Sequence, residues 1–314
     1  MITNQGLQDG IEKLPIVDLH DTAEDVGNLL TALYDGPYVG RNVSSNVRCI
    51  NCRRRIFGNN DQEDFRVVSG VLRLSTKYLI DSLRAKALTH LNKAWPTSLK
   101  EWDAREDLAR THETDLTNTS HPYPHPIAVI SLAREVDAPS LLPAAFYDLS
   151  RYAFGHIFEQ TEEDKTYRPL PPVPSTLSNA DLERLCLGKE ASQNAITSLI
   201  TAMGSTQSVR STQLNPTHSR KAAVCVSAAA CRKDFSELVT LATQHYLFDR
   251  ERGCYDPLYV AEELGQLKSA EFSECKACAK SLEAWAARER EKIWKSIPMW
   301  FRLDHSGDTS PRLY

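Results

Sequence analysis

Glycine is scarce in this chain, 13 of 314 residues, while Leu, Ala, Glu, Arg and Lys abound, so helix is predicted to dominate. No apolar run reaches the roughly 18 residues that a membrane span needs. The polar opening, "MITNQGLQDGIEK", lacks the apolar core of a secretory signal, so an intracellular, cytoplasmic or nuclear protein is expected. An excess of one charge is also missing. Lys and Arg number 37 against 41 Asp and Glu, and a formal net charge of −4 does not suit a chain that coats nucleic acid or an anionic membrane. There is no Gly-x-Ser-x-Gly turn, no Gly-rich phosphate loop and no Cys–His pair with triad logic. The sequence therefore points to no enzyme, no catalytic residue and no organic cofactor. No period of about 20–50 residues marks a repeat array.

What is present divides into segments. After a polar N-terminus (1–13), "LPIVDLHD" (14–21) reads as a short strand with Val17 and Leu19 on one face. Asp21, with Glu24 three residues on, is predicted to cap a helix carrying Val26, Leu29, Leu30 and Leu33 and ending at Gly36. Residues 63–91 read as two helices that break near Thr76–Tyr78, and 97–110 as a third, capped by Thr97. A polar linker (111–126) leads to a helix pair (127–158) with a break near Ala138–Pro139. A Pro-rich linker (159–177) follows, and Ser178 with Asp181 starts the helical C-terminal region (178–303). That region contains a Ser/Thr-rich loop near 204–219, expected to be mobile, and is followed by a polar tail (304–314).

"IVDLHDTAEDVGNLLTALYDG" followed by "FRVVSGVLRLSTKYLIDSLRAKALTHL" resembles the second half of a BTB/POZ domain. The likeness rests on Leu30, Leu33, Tyr34 and Gly36, then Val71, Leu72, Leu74, Ser75, Tyr78, Leu79, Leu83 and Leu88. Later pieces, including "HPIAVISLAREVDAPSLLPAAFYDLSRY" and "FSECKACAKSLEAWAARER", resemble the form of this family expanded in mushroom-forming fungi. The resemblance implies a mainly α protein: a partial α+β BTB/POZ segment (14–110) followed by an all-helical region. It implies a non-catalytic protein–protein interaction module that self-associates or recruits a cullin-type ubiquitin-ligase scaffold or a transcriptional partner. Nothing before residue 14 supplies the family's first hairpin and helices, which normally carry its dimer interface and pair its strand. A truncated gene product without independent function is therefore a second alternative.

The eight cysteines, at 49, 52, 186, 225, 231, 254, 275 and 278, raise the other alternative, a zinc-stabilised nucleic-acid-binding or regulatory protein. Two Cys-x-x-Cys pairs formally spell a four-ligand site. Cys275 and Cys278, however, read as part of one continuous helix rather than a knuckle, and Cys49 and Cys52 lie far away in sequence. A version using Cys225, Cys231, Cys275 and Cys278 requires two helices to pack. Buried helical cysteines are the favoured reading, with no metal. Asp18 and His20 alternate to the solvent face of their strand. Leu241, His245 and Phe248 share a helical face that reads as core or interface, and Trp294, Ile297, Trp300 and Phe301 read as a docking terminal helix.

Residues 38–55, "YVGRNVSSNVRCINCRRR", interrupt the family pattern and lack hydrophobic periodicity, so they are predicted to be a disordered insertion. Pro37–Tyr38–Val39 can be encoded with an internal GTATGT, Ile50–Asn51 with a branch-like ATTAAC, and Arg55 by a codon beginning AG. The segment therefore reads as translated intron, whose removal leaves "DGPIFGNNDQEDF" in frame. Sequencing the cDNA is expected to show a dominant transcript without these codons; one that keeps them ends the reading.

Overall fold

The computed structural model describes residues 18–34, 57–114, 122–158, 177–204, 225, 227–248, 254–266 and 275–303. The predicted insertion, the Pro-rich linker, the Ser/Thr-rich loop beyond Gly204, Cys49 and Cys52 lie outside the described residues. The described part is mainly helical and contains no strand. The predicted strand is not found where it can be read: residues 18–20 have no regular structure and Leu19 is half exposed. A strand needs a neighbour to pair its backbone, and no partner strand exists among the described residues.

The chain divides into two compact units. The first, residues 1–59 and 63–87, contains α1 (Ala23–Tyr34), α2 (Gln62–Lys77) and most of α3 (Asp81–Leu91). Its core is the apolar stripe of α2, with Val68, Val71 and Leu72 wholly buried, joined by Leu29 and Ala32 of α1. α1 starts one residue later than predicted. Thr22 is its cap, its hydroxyl accepting the Asp25 amide at 3.1 Å, because Asp21 is engaged elsewhere. The Asp21 carboxylate accepts bonds from Lys77 Nζ (2.6 Å) and the Tyr78 hydroxyl (2.5 Å), and those bonds lower its pKa.

The second unit, residues 60–62 and 88–314, contains α4 (Leu99–Thr114), α5 (Pro126–Glu135), α6 (Leu142–Ser150), α7 (Phe154–Phe158), α8 (Asn179–Gly204), α9 (Ala228–Thr243), α10 (Pro257–Gln266) and α11 (Lys276–Trp300). A π-helical turn, Gln244–Phe248, continues α9. α4 is capped by Ser98, whose hydroxyl accepts the Glu101 amide, rather than by Thr97. His125 caps α5 through Nδ1, and Ser178 caps α8, accepting the Asp181 amide at 3.1 Å. α6 is buried almost all round, and α5, α8 and α11 pack against it.

Three helices end without glycine. At Leu79, Asp137 and Arg302 the backbone takes positive φ (57°, 49° and 54°). The next amide then reaches back five residues, to Ser75, Ala133 and Pro298 oxygens, at 2.8–2.9 Å. This closing geometry usually falls to glycine, and a chain so poor in glycine builds it from other residues.

The interior of the second unit is ionic at its centre. The Arg105 side chain is wholly buried, ion-paired to Asp148 (2.7 Å) and Glu106 (2.5 Å). Its guanidinium lies 4.4–4.8 Å from the ring centroids of Trp95, Trp102 and Tyr123. Arg151 bridges Asp148, Glu106 and Asp256, and those carboxylates hold its pKa far above the ordinary value against the pull of burial. The Tyr147 hydroxyl donates to Asp256 at 2.6 Å, which ties α6 to the start of α10. Nearby, the buried Lys189 ammonium donates to the Ser150 and Tyr152 carbonyls (2.8 and 2.6 Å) at the end of α6. It lies 3.7 Å from the Tyr255 ring centroid, and burial pulls its pKa down to about 8. Removing Asp148 leaves two buried guanidinium groups short of a carboxylate. Asp148→Ala is therefore expected to cost about 3–5 kcal/mol in chemical denaturation, and a cost under about 1 kcal/mol would show the network to be dispensable.

Candidate metal centre

Cys225 precedes α9, and Cys231 sits just past its first turn. The Ser227 hydroxyl caps this helix, accepting the Ala230 amide, and so fixes where the turn that carries Cys231 begins. Cys275 is the N-cap of α11, and Cys278 lies in that helix's first turn, its amide bonded to the Cys275 carbonyl at 3.0 Å. The predicted continuous helix through Cys275 is thus corrected. The helix starts at Lys276, and the Cys-x-x-Cys pair straddles a helix start, where an N-cap residue has extended rather than helical backbone.

The fold brings the four sulfurs together. All lie within 4.8 Å of one another, and Cys225 Sγ and Cys231 Sγ are 3.5 Å apart. Cys231, Cys275 and Cys278 are buried and Cys225 is half-buried. A tetrahedron of zinc–sulfur bonds about 2.3 Å long has edges of about 3.8 Å. No pair of the observed sulfurs is more than 4.8 Å apart, so only small shifts, the 3.5 Å Cys225–Cys231 pair opening a little, close the set around one ion. Two helix N-termini, those of α9 and α11, meet at the cluster, and their dipoles favour anionic sulfur. The first two turns of these helices also carry exposed Arg232, Lys233, Lys276 and Lys280, with Asp234 an opposing charge. Such a surround suits four thiolates about a dication, which keep two net negative charges.

Without a metal Cys231 and Cys278 hold their protons. Burial, followed by the hydrogen bond with Cys225, pushes Cys231 up to about 11. Burial, followed by bonds with Cys275 and Cys231, pushes Cys278 up as well. A dication reverses this preference by replacing the protons.

The other residues singled out in the sequence form no site. Asp18 and His20 are exposed, and Asp21 serves the end of α2 through Lys77 and Tyr78. Leu241 and Phe248 are 64% and 71% exposed, so their face is not core. Ile297 and Phe301 are buried and anchor the end of α11. Trp294 donates to the Thr97 carbonyl at 3.1 Å. Lys189, Arg105 and Arg151, the principal buried charges, gave no sequence signal beyond lying in helical segments.

Comparison with family models, with curated proteins and with solved structures finds no match for this chain.

Metal binding must displace at least the protons of Cys231 and Cys278, because both thiols are protonated near neutrality. Zinc affinity, measured against a competing chelator between pH 6.5 and 7.5, is therefore expected to rise at least about 100-fold per pH unit. A pH-independent affinity would exclude the thiols as ligands.

Proposed function

We propose that this chain is a non-catalytic protein-interaction module whose helical C-terminal unit is held together by one zinc ion on Cys225, Cys231, Cys275 and Cys278. The observation that carries the metal is the convergence of four sulfurs from two separated segments within 4.8 Å. Unrelated buried cysteines are scattered through a core; four that meet at two helix starts match the ligand number and type of a closed structural zinc site. A structural ion supplies folding energy rather than chemistry, since all four coordination positions are taken by protein. The interaction reading rests on the likeness of residues 14–110 to the later half of a BTB/POZ domain. Exposed Leu30, Leu33 and Tyr34, at i, i+3 and i+4 on α1, add to it, since an apolar strip along one helix face, unlike a single bare side chain, marks a contact surface. Self-association or a cullin-type scaffold is the partner that this likeness suggests. The net charge of −4 weighs against nucleic acid as the partner of a zinc-stabilised protein.

Elemental analysis of the purified full chain is expected to find about one zinc and no iron per chain, lost in Cys278→Ser with a fall in thermal midpoint. Zinc retained by that variant, or absent from the parent, refutes the metal. In the same preparation, light scattering and co-sedimentation with a cullin N-terminal domain test the interaction half. A strict monomer that binds no such domain refutes it.

A further inference from the structure

The four thiols fall into two short-range pairs. Cys225 and Cys231 bracket the start of α9, and their sulfurs are already 3.5 Å apart. Cys275 and Cys278 bracket the start of α11 with two residues between them, so a short loop is enough to close a disulfide. α9 otherwise packs on α8, and α11 on α8 and α10, so α9 and α11 touch each other little away from the cysteines. A metal ion uses the four sulfurs as one set and ties α9 to α11. Two disulfides, each within its own pair, use the same four sulfurs and tie nothing across.

We infer that the tetrathiol is a staple released by oxidation: a hydroperoxide converts it into Cys225–Cys231 and Cys275–Cys278 disulfides, frees the zinc and uncouples α9 from α11. This rests on the zinc reading given above. In each pair one thiolate attacks the peroxide, giving a sulfenic acid and hydroxide, and the second thiolate displaces hydroxide from that sulfur to form the disulfide. Two thiolates thus lose two electrons to one peroxide, and four thiolates consume two peroxides, leaving two disulfides, one zinc ion and four hydroxides. The half-buried Cys225 gives the oxidant its way in, the other three being buried. Pairing stays local because the shortest tethers keep the highest effective concentration once the ion has gone.

The test uses the zinc-loaded full chain in a background with Cys49, Cys52, Cys186 and Cys254 each replaced by Ser, which removes the thiols outside the cluster that would otherwise consume oxidant. Hydrogen peroxide is titrated in, with zinc read by a chelating dye, disulfides by peptide mass mapping and helix opening by hydrogen exchange. The expected result is one zinc released per two peroxides consumed and disulfides confined to the two local pairs. Amide exchange across α9 should rise at least about tenfold while α5 and α6 stay protected, and thiol reductant with added zinc should restore the starting state. Disulfides joining Cys225 or Cys231 to Cys275 or Cys278, zinc held through full oxidation, or unchanged exchange in α9 each overturn the staple while leaving the zinc site standing. A chain that carries no zinc at the start removes the site, and the staple with it.

Discussion

A guanidinium shut away from water governs the second unit. Arg105 sits beneath two tryptophans and a tyrosine with its side chain wholly inaccessible, and such a charge is tolerable only when its carboxylates and aromatic faces are held in place. Asp148 comes from α6, Glu106 from the same turn of α4, and Arg151 from the residue just past α6. Each partner is shared, so none can move alone. The Tyr147–Asp256 bond extends the set to the start of α10, and Lys189 closes the end of α6 from α8. Apolar packing alone accepts several arrangements of helices. Directional pairing of buried charge accepts far fewer, because every misplacement strands a charge in low dielectric.

The thiol cluster acts on a different part of the same unit and with a different logic. The ionic centre organises α4, α6, α8 and α10 through permanent charges, whereas the proposed ion would join α9 to α11 only by displacing the protons of Cys231 and Cys278. α9 has fewer buried side chains than α6 and runs on into a π-helical turn, so an external tie adds to its few packing contacts. The burial that raises the thiol pKa values also keeps a bound ion from water, so the same environment opposes empty thiolates and favours occupied ones.

The starts of α1, α2, α4, α5 and α8 were legible in the sequence to within a residue, and the errors are informative. Asp21 and Thr22, like Thr97 and Ser98, are neighbouring residues that can all cap, and only the tertiary partners of Asp21 decide the first case. Ser178 with Asp181 had no competing neighbour and caps as expected. The break read near Thr76–Tyr78 falls at Lys77, and the one near Ala138–Pro139 falls within three residues. The closing geometry at Leu79, Asp137 and Arg302 was not legible, since sequence reading reserves that backbone region for glycine. Periodicity carried the residues around Cys275 into a helix that begins only after it. The meeting of Cys225 with Cys275, 50 positions apart, follows from packing onto α8, which no local pattern encodes. The Leu241–Phe248 face shows the same limit in reverse: a helical apolar spacing states which residues share a side, not whether anything covers it.

α11 has one further consequence. It runs 25 residues, about 37 Å, from the Cys275 cap to Phe301. At the far end Phe301 is wholly buried against Gly188, where even a methyl group would come 2.0 Å from its ring, and it stacks on Phe146 at 5.3 Å. This rod carries Pro298 in its last turn, and at that end it is held by a socket without spare room. Sliding or turning it at the cysteines would drive the ring into the α8 backbone beside Gly188. The socket therefore works as a gauge for the length and rotation of the rod, and it admits the four sulfurs to one another only in a single register.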